Sequence, residues 1–421
     1  MSLLTRKTMV YAAMESTYGT APSFSDSTDP TLVEDADYKL DVQNISRNLY
    51  RNDLSPVADI ITRKMGKMTF KHEIRGGGTV GTECRLGRLL RGCTMVATAK
   101  ATAWWGNVIA AAAPNTPTVS WVGGGSITAI TEPKTILVRV TTSGSSGTAR
   151  CSIIYDDGTA TQTNVTMTSG SSIALAGALV SGTITPTWSG TLTTAQAWVV
   201  TAWPPGIQYL PSSDETAYAS IAIRMYKDGM LHVLTGAYGT FKINAQAGQR
   251  AMAEFEFTGF YNAPTDVALP STPTFETTLP QQCELGRLHI DDFGVASAVN
   301  NICAVDSFSY DIGNKIDPRM SINAADGYTG LRVTERTSTG GIDPEATLVA
   351  QQDFWSKLAN GRQMPFGMRV GGTAGNMWAV HAPATQYTGL TYKDRSGLVT
   401  LDAALQFNRV SGDDEILLYA C

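Results

Sequence analysis

The sequence predicts a mainly β protein: two tandem β-sandwich or barrel domains, each with one short helix, and a further β-sandwich inserted into the first. Three observations carry this. Short runs of alternating apolar and polar residues recur along the chain, the period of half-buried strands. Residues 226–261 and 392–407 share an order: Tyr-Lys-Asp, a glycine, then alternating apolar residues closing on Phe. A looser echo joins residues 38–75 to 306–336, each a strand pattern, a long polar connection and a second strand pattern. Residues 112–201 break the texture, and the second copy has no equivalent.

The first domain opens with two strand candidates in residues 36–75. In the second candidate Met68, Phe70, His72 and Ile74 share one face, and Thr69, Lys71 and Glu73 the other. Their connection, 46–64, carries Arg47, Arg51 and Arg63, and long connections inside compact domains tend to be functional. Residues 82–93 suit a helix capped by Thr82, with Leu86, Leu89 and Leu90 as its apolar stripe. Its counterpart is 346–360, with Leu348, Phe354, Trp355 and Leu358 buried and Gly361 as the terminating glycine.

Residues 112–201 are rich in Thr, Ser and Gly, with turn signals about every ten residues, among them Tyr155-Asp156-Asp157-Gly158. This predicts an immunoglobulin-like sandwich inserted at an exposed loop. The four prolines of residues 262–281 mark an extended linker. The expected domains are therefore 1–111 with 202–265, the insertion 112–201, a linker at 266–281, and 282–421.

Composition excludes several function classes. The 421 residues carry a net charge of −5 and only 16% charged side chains, unlike a basic nucleic-acid clamp. No apolar run is long enough to span a bilayer, and the start lacks a signal-peptide core, so cytoplasmic synthesis is expected. The six cysteines have no C-x-x-C spacing and are read as free thiols.

No constellation supports catalysis. Gly76–Gly81 fits G-x-G-x-x-G, but no Asp or Glu occurs from Arg85 to Thr131, so the segment reads as a flexible turn. The four histidines lack metal-site spacing, and His72 falls on an apolar strand face as a hydrogen-bonded core residue. His289 precedes Asp291 and Asp292 in what reads as a solvated turn. Glu254 and Glu256 share one strand face instead of facing each other across a cleft. Trp104 and Trp105 read as a buried aromatic pair near the insertion junction. No catalytic, cofactor or metal-binding residue is expected.

MESTYGTAP (14–22), RLGRLLRGC (85–93), YLPSS (209–213) and FEFTGFYNAP (255–264) together resemble the tail tube proteins of long-tailed bacteriophages. The likeness is to the branch with two tube domains per chain, the second half keeping GYTGLRVTER and YKDRSG in order. It covers residues 1–111, 202–265 and, more weakly, 282–421. The resemblance implies a homotrimeric, pseudo-hexameric ring, stacked into the tube of a virion tail for genome delivery. Implied partners are further copies, the tape measure and terminator proteins, and double-stranded DNA that passes without specific binding. With about four strands per tube domain facing the lumen, three chains give about 24 strands and a barrel near ~37 Å across.

A sliding channel should not hold phosphates, so polar and acidic faces are expected to line it. The candidates are Glu254, Glu256 and Thr258 in the first copy and Thr400, Asp402 and Gln406 in the second. A period of two leaves open which side is the lumen. Arg47, Arg51 and Arg63 in 46–64, and Lys315 and Arg319 in 313–329, are the candidates for ring-to-ring contacts. Alternatives at this stage are a tail completion, terminator or hub component of the same fold, or a surface adhesin suggested by the insertion.

Overall fold

The computed structural model describes residues 4–420, apart from 54, 111–118, 129, 156–159, 176–180, 195, 285, 291–303 and 325. It is mainly β, with two short helices among the described residues. Eight strands form one continuous antiparallel sheet: β1 (Glu34–Ile45), β2 (Ile60–Glu73), β3 (Met230–Gln246), β4 (Met252–Tyr261), β5 (Val305–Asp311), β6 (Thr339–Pro344), β7 (Trp378–Arg395) and β8 (Leu398–Asn408). Their order across the sheet is β1-β2-β4-β3-β5-β6-β8-β7. Strands from the two halves therefore meet at one seam, β3 against β5, where Lys242 lies opposite Asp311.

The halves repeat each other in strand order. Each supplies two outer strands joined by a long arm, then a helix, then a long strand and a final strand. The long strands β3 and β7 each pair in two places. Residues 230–237 of β3 pair with Ile221–Lys227, and residues 378–386 of β7 pair with Gln363–Val370; past a shift in register both run on into the eight-stranded sheet. The shared Tyr-Lys-Asp motif marks different hairpins, however. In the first half it turns the chain into β3; in the second it lies in the β7–β8 hairpin. Both turns need a left-handed backbone, at Asp228 and Gly229 and at Ser396 and Gly397, and that local demand accounts for the glycine in each.

A second layer covers one face of the sheet. It includes Thr8–Met14 paired with Ile221–Lys227, and a run in the order Met95–Lys100, Gly206–Pro211, Leu417–Ala420, residues 378–381 and Gln363–Val370. The core lies between the layers. Phe70, Phe255, Phe257 and Phe241 meet Leu86, Leu89 and Leu90 in the first half, and Leu405 and Phe407 meet Phe366 and Leu418 in the second. His72 is fully buried here, its Nδ1 2.5 Å from the carbonyl of Glu73.

The helices are shorter than their patterns suggest. α1 spans Arg85–Gly92, and Cys84, not Thr82, precedes it without a side-chain cap. α2 spans only Phe354–Ala359, capped by Asp353, and ends before the left-handed Gly361. Leu348 and Trp355, expected on its buried face, are exposed; Phe354 is buried and Leu358 packs at the core margin. Glycines 76–81 form a loop fastened to the second half. The Gly76 amide donates to Asn376 Oδ1 at 2.8 Å, Asn376 Nδ2 donates to the Leu279 carbonyl at 2.7 Å, and Trp378 Nε1 donates to the Arg75 carbonyl at 2.7 Å.

Residues 104–203 build two further sheets around a core of their own, with Ile136, Val138, Ile153, Tyr155, Trp198 and Val200 at its centre. Trp104 and Trp105 pair with Trp203 and Ala202, so the sheet reaches past the composition break at both ends. The strands flanking the expected turn at Tyr155 pair as a hairpin, while Asp156, Asp157 and Gly158 lie outside the described residues, as do Asp291 and Asp292. Glu132 forms ion pairs with Lys134 and with Arg369 of the second half, fastening the two regions together. The proline-rich segment lies along the first half: residues 265–266 pair with 230–231, and Glu276 accepts from the Arg85 amide at 2.6 Å.

Candidate functional site

The face of the eight-stranded sheet away from the second layer is open, and it is charged in a pattern. Lys71, Glu254, Lys242 and Asp311 are successive cross-strand partners, and the same row continues through Thr339, Gln406 and Gln386. Facing pairs of opposite charge are the favourable arrangement on a sheet surface. Lys71 lies 3.7 Å from Glu254 and 3.1 Å from Asp35; Lys242 lies 3.0 Å from Asp311. Lys67 lies 3.6 Å from Glu256 and 3.7 Å from Asp41, and Lys393 lies 2.5 Å from Asp402. The hydrogen bond to Asp35, followed by the charge of Glu254, raises the Lys71 pKa, and Asp311 does the same for Lys242. Lys67, Lys71, Lys242 and Lys393 thus each have a carboxylate partner, while Lys39 lies opposite Lys67 on the edge strand.

Of the six residues expected on one polar face, Glu256, Asp402 and Gln406 are exposed on it and Glu254 is half-exposed. Thr258 and Thr400 are covered, at 7% and 3% exposure. Thr258 pairs with Tyr238 and Lys67 beside the cluster of Met65, Tyr328 and Leu331. Thr400 bridges to Glu345, and its hydroxyl donates to the Lys393 carbonyl at 3.4 Å. The lysines were the missed members. Lys67 and Lys71 already alternate with the core side chains of β2, so the period-two pattern held the signal.

The long connections stand at one end of this sheet. Arg47 and Arg51 are exposed on the arm between β1 and β2, and Arg63 is half-buried at its base. Lys315 and Arg319 are exposed on a hairpin of Asn314–Met320 with Tyr328–Arg336; Lys315 lies 3.7 Å from Asp317. This hairpin leans on the first arm, the Tyr328 hydroxyl donating to the Lys64 carbonyl at 2.9 Å. Both tips carry bare apolar groups, among them Leu49, Tyr50, Met320 and Ile322. The β7–β8 turn, with exposed Leu398 and Val399, lies at the opposite end.

The sheet also has two unpaired edges. Among the described residues β1 pairs only with β2, and residues 389–395 of β7 pair only with β8. Bare strand edges invite further pairing. On the core side each edge carries exposed apolar groups: Leu40 on β1, and Tyr392 on β7 with the Trp355 ring 5.3 Å away.

A family profile described as phage tail tube protein matches residues 5–402, nearly the whole chain. The chain belongs to this family. It is a structural component of the virion tail. No curated protein matches it. Among the described residues, no cluster of His, Cys, Asp and Glu could hold a metal, and no helix is long and apolar enough to cross a membrane.

Proposed function

We propose that this chain is the repeating tube subunit, three copies closing into a pseudo-sixfold ring whose open charged faces line the channel for DNA. The observation that carries the reading is the seam inside the chain. There the long strand of the first half, β3, pairs with the first outer strand of the second, β5. Their counterparts in the repeat are β7 and β1, the two strands with unpaired edges. The same pairing between copies joins β7 of one to β1 of the next, a head-to-tail contact that closes when the rotation closes. It would bury Tyr392 and Trp355 against Leu40 and extend the core across the joint.

Eight strands per copy give 24 in a ring of three. At ~4.8 Å spacing the barrel is ~37 Å across before tilt widens it, wide enough for duplex DNA between its side chains. The ladder suits passage, because carboxylates outnumber its four lysines and each of the four is already paired. The arms at one end and the β7–β8 turn at the other are the ring-to-ring surfaces. The insertion, an immunoglobulin-like sandwich in this reading, rides on the second layer outside the tube.

Electron microscopy of the purified protein tests this. Rings and hollow tubes with pseudo-sixfold symmetry are expected, and the double variant Leu40→Asp, Tyr392→Asp should stay folded but monomeric. Rings that never stack would favour the terminator or hub role, and unaltered ring formation by the double variant would refute the edge pairing.

A further inference from the structure

The two halves can be matched residue by residue. Both long strands slip in register, between Thr235 and Tyr238 in β3 and between Tyr387 and Gly389 in β7. The first pairs beyond are Tyr238 with Thr258 and Gly389 with Ala404. Four residues further along each long strand stand Lys242 and Lys393. Two residues beyond Thr258 and Ala404, Phe260 pairs with Met65 and Met65 with Asp41, while Gln406 pairs with Thr339 and Thr339 with Asp311. Asp41 therefore corresponds to Asp311. The residues that follow agree: Asp41-Val42-Gln43-Asn44 matches Asp311-Ile312-Gly313-Asn314.

At the seam inside the chain these matched residues are engaged. Lys242 lies 3.0 Å from Asp311. Asn314 is 8% exposed, and its Nδ2 donates to the Gly239 carbonyl at 3.0 Å and at 2.9 Å to that of Cys93, the residue that ends α1. On the core side the rings of Phe241 and Tyr310 lie 5.9 Å apart. At the two free edges the counterparts are open: Lys393, Asn44, Leu40 and Tyr392 are exposed and Asp41 half-exposed. The counterpart of Gly239 is Leu390, and the residue that ends α2 is Asn360.

We propose that Asp41 and Asn44 set the register between copies, Asp41 meeting Lys393 of the neighbour and Asn44 Nδ2 donating to the neighbour's carbonyls at Leu390 and Asn360. This rests on the pairing of β7 with β1 proposed above and specifies its alignment. Lys67 already lies 3.7 Å from Asp41, and Lys393 2.5 Å from Asp402. Joined at Asp41 and Lys393, the four charges alternate in sign across the joint, the favourable order for facing strands. Two residues along, Arg395 faces Lys39, but Arg395 is held by Asp343 and Glu345 at 3.2 Å each. A slip of two residues that set Lys393 against Lys39 would lose the ion pair and place Asn44 away from both carbonyls.

Cysteine cross-linking of the full-length protein tests the alignment. The double variant Asp41→Cys, Lys393→Cys, oxidised with copper–phenanthroline, should give covalent trimers on non-reducing gels. Lys39→Cys, Lys393→Cys should not, and the wild type gives the background of native thiols. Asn44→Asp keeps the size but replaces the donor with a carboxylate. In sedimentation it should raise the concentration at which rings half-form about tenfold, one good hydrogen bond per joint, with an unchanged unfolding midpoint. Asn48→Asp, further out on the arm, should assemble as wild type. Cross-linking of the Lys39→Cys pair in place of the Asp41→Cys pair, or wild-type assembly of Asn44→Asp, would overturn the register while leaving the edge pairing in place. Wild-type protein that forms no ring, with neither pair cross-linking, would overturn both.

Discussion

Replacing Glu254, Glu256 and Asp402 together with lysine should stall DNA in an otherwise intact tube. In the paired ladder four lysines face six carboxylates, a balance of −2 per chain. Three acid-to-lysine changes add six units and leave +4, or +12 for a ring of three. The stability cost is small. The ion pairs lost join side chains that are each at least 34% exposed, and exposed pairs contribute about 0–1 kcal/mol. The buried faces of β4 and β8 are untouched, so tubes should still assemble. The passing duplex carries one negative charge per about 1.7 Å, and each phosphate neutralised releases roughly one counterion. Screening over about 8 Å confines the effect to side chains near the DNA. Virions carrying the triple variant should eject DNA slowly after receptor triggering, with strong dependence on salt, while the matched Glu→Gln and Asp→Asn variant stays near wild type. Wild-type ejection from correctly assembled triple-variant tails would refute the placement of this face in the channel.

Three further predictions concern the fold. Burial lowers the His72 pKa to about 4, below its ordinary 6.5. As pH falls the unfolded chain protonates first, so stability should drop between pH 6.5 and pH 4 by roughly 3 kcal/mol, with no contribution above that window; urea midpoints should show a flatter slope in His72→Leu. Asn376→Leu leaves the Gly76 amide and the Leu279 carbonyl unpaired and should cost about 2 kcal/mol or more, read from the same midpoints; a loss below about 0.5 kcal/mol would mean that the junction is held elsewhere. Burial raises the thiols of Cys84 and Cys151 to about 12, and that of Cys93 well above its ordinary value, so native protein at pH 8 should label slowly at these sites. All six cysteines should react after unfolding, and fewer would reveal a disulfide.

Much of the site was legible where local spacing carried it. Met68, Phe70 and His72 alternate with Thr69 and Lys71, and the structure sends the first set to the core and leaves Thr69 and Lys71 on the open face. Glu254 and Glu256 flank Phe255 in the same way. Leu348 failed because the helix that forms has six residues and starts at Phe354, and Trp355 failed because Phe354 and Leu358, four residues apart, make its inner face. The glycines of 76–81 read as a turn, and the loop is one, but its anchoring by Asn376 joins residues 300 positions apart.

The sequence by itself determined the β class, the positions of most strands and both helices, the break in texture at the insertion, and the family. The structural readings follow from short-range periodicity and from residue types that local backbone geometry demands, and the family from the resemblance of several motifs taken together. Only the tertiary structure decided that two half-chains share one sheet through Lys242 and Asp311, and that β1 and β7 are left as its edges. It also decided that Thr258 and Thr400 are covered while Asp402 is not. A period of two names two faces without saying which is buried, and strand neighbours are chosen by packing between distant segments; neither is encoded in the spacing of adjacent residues.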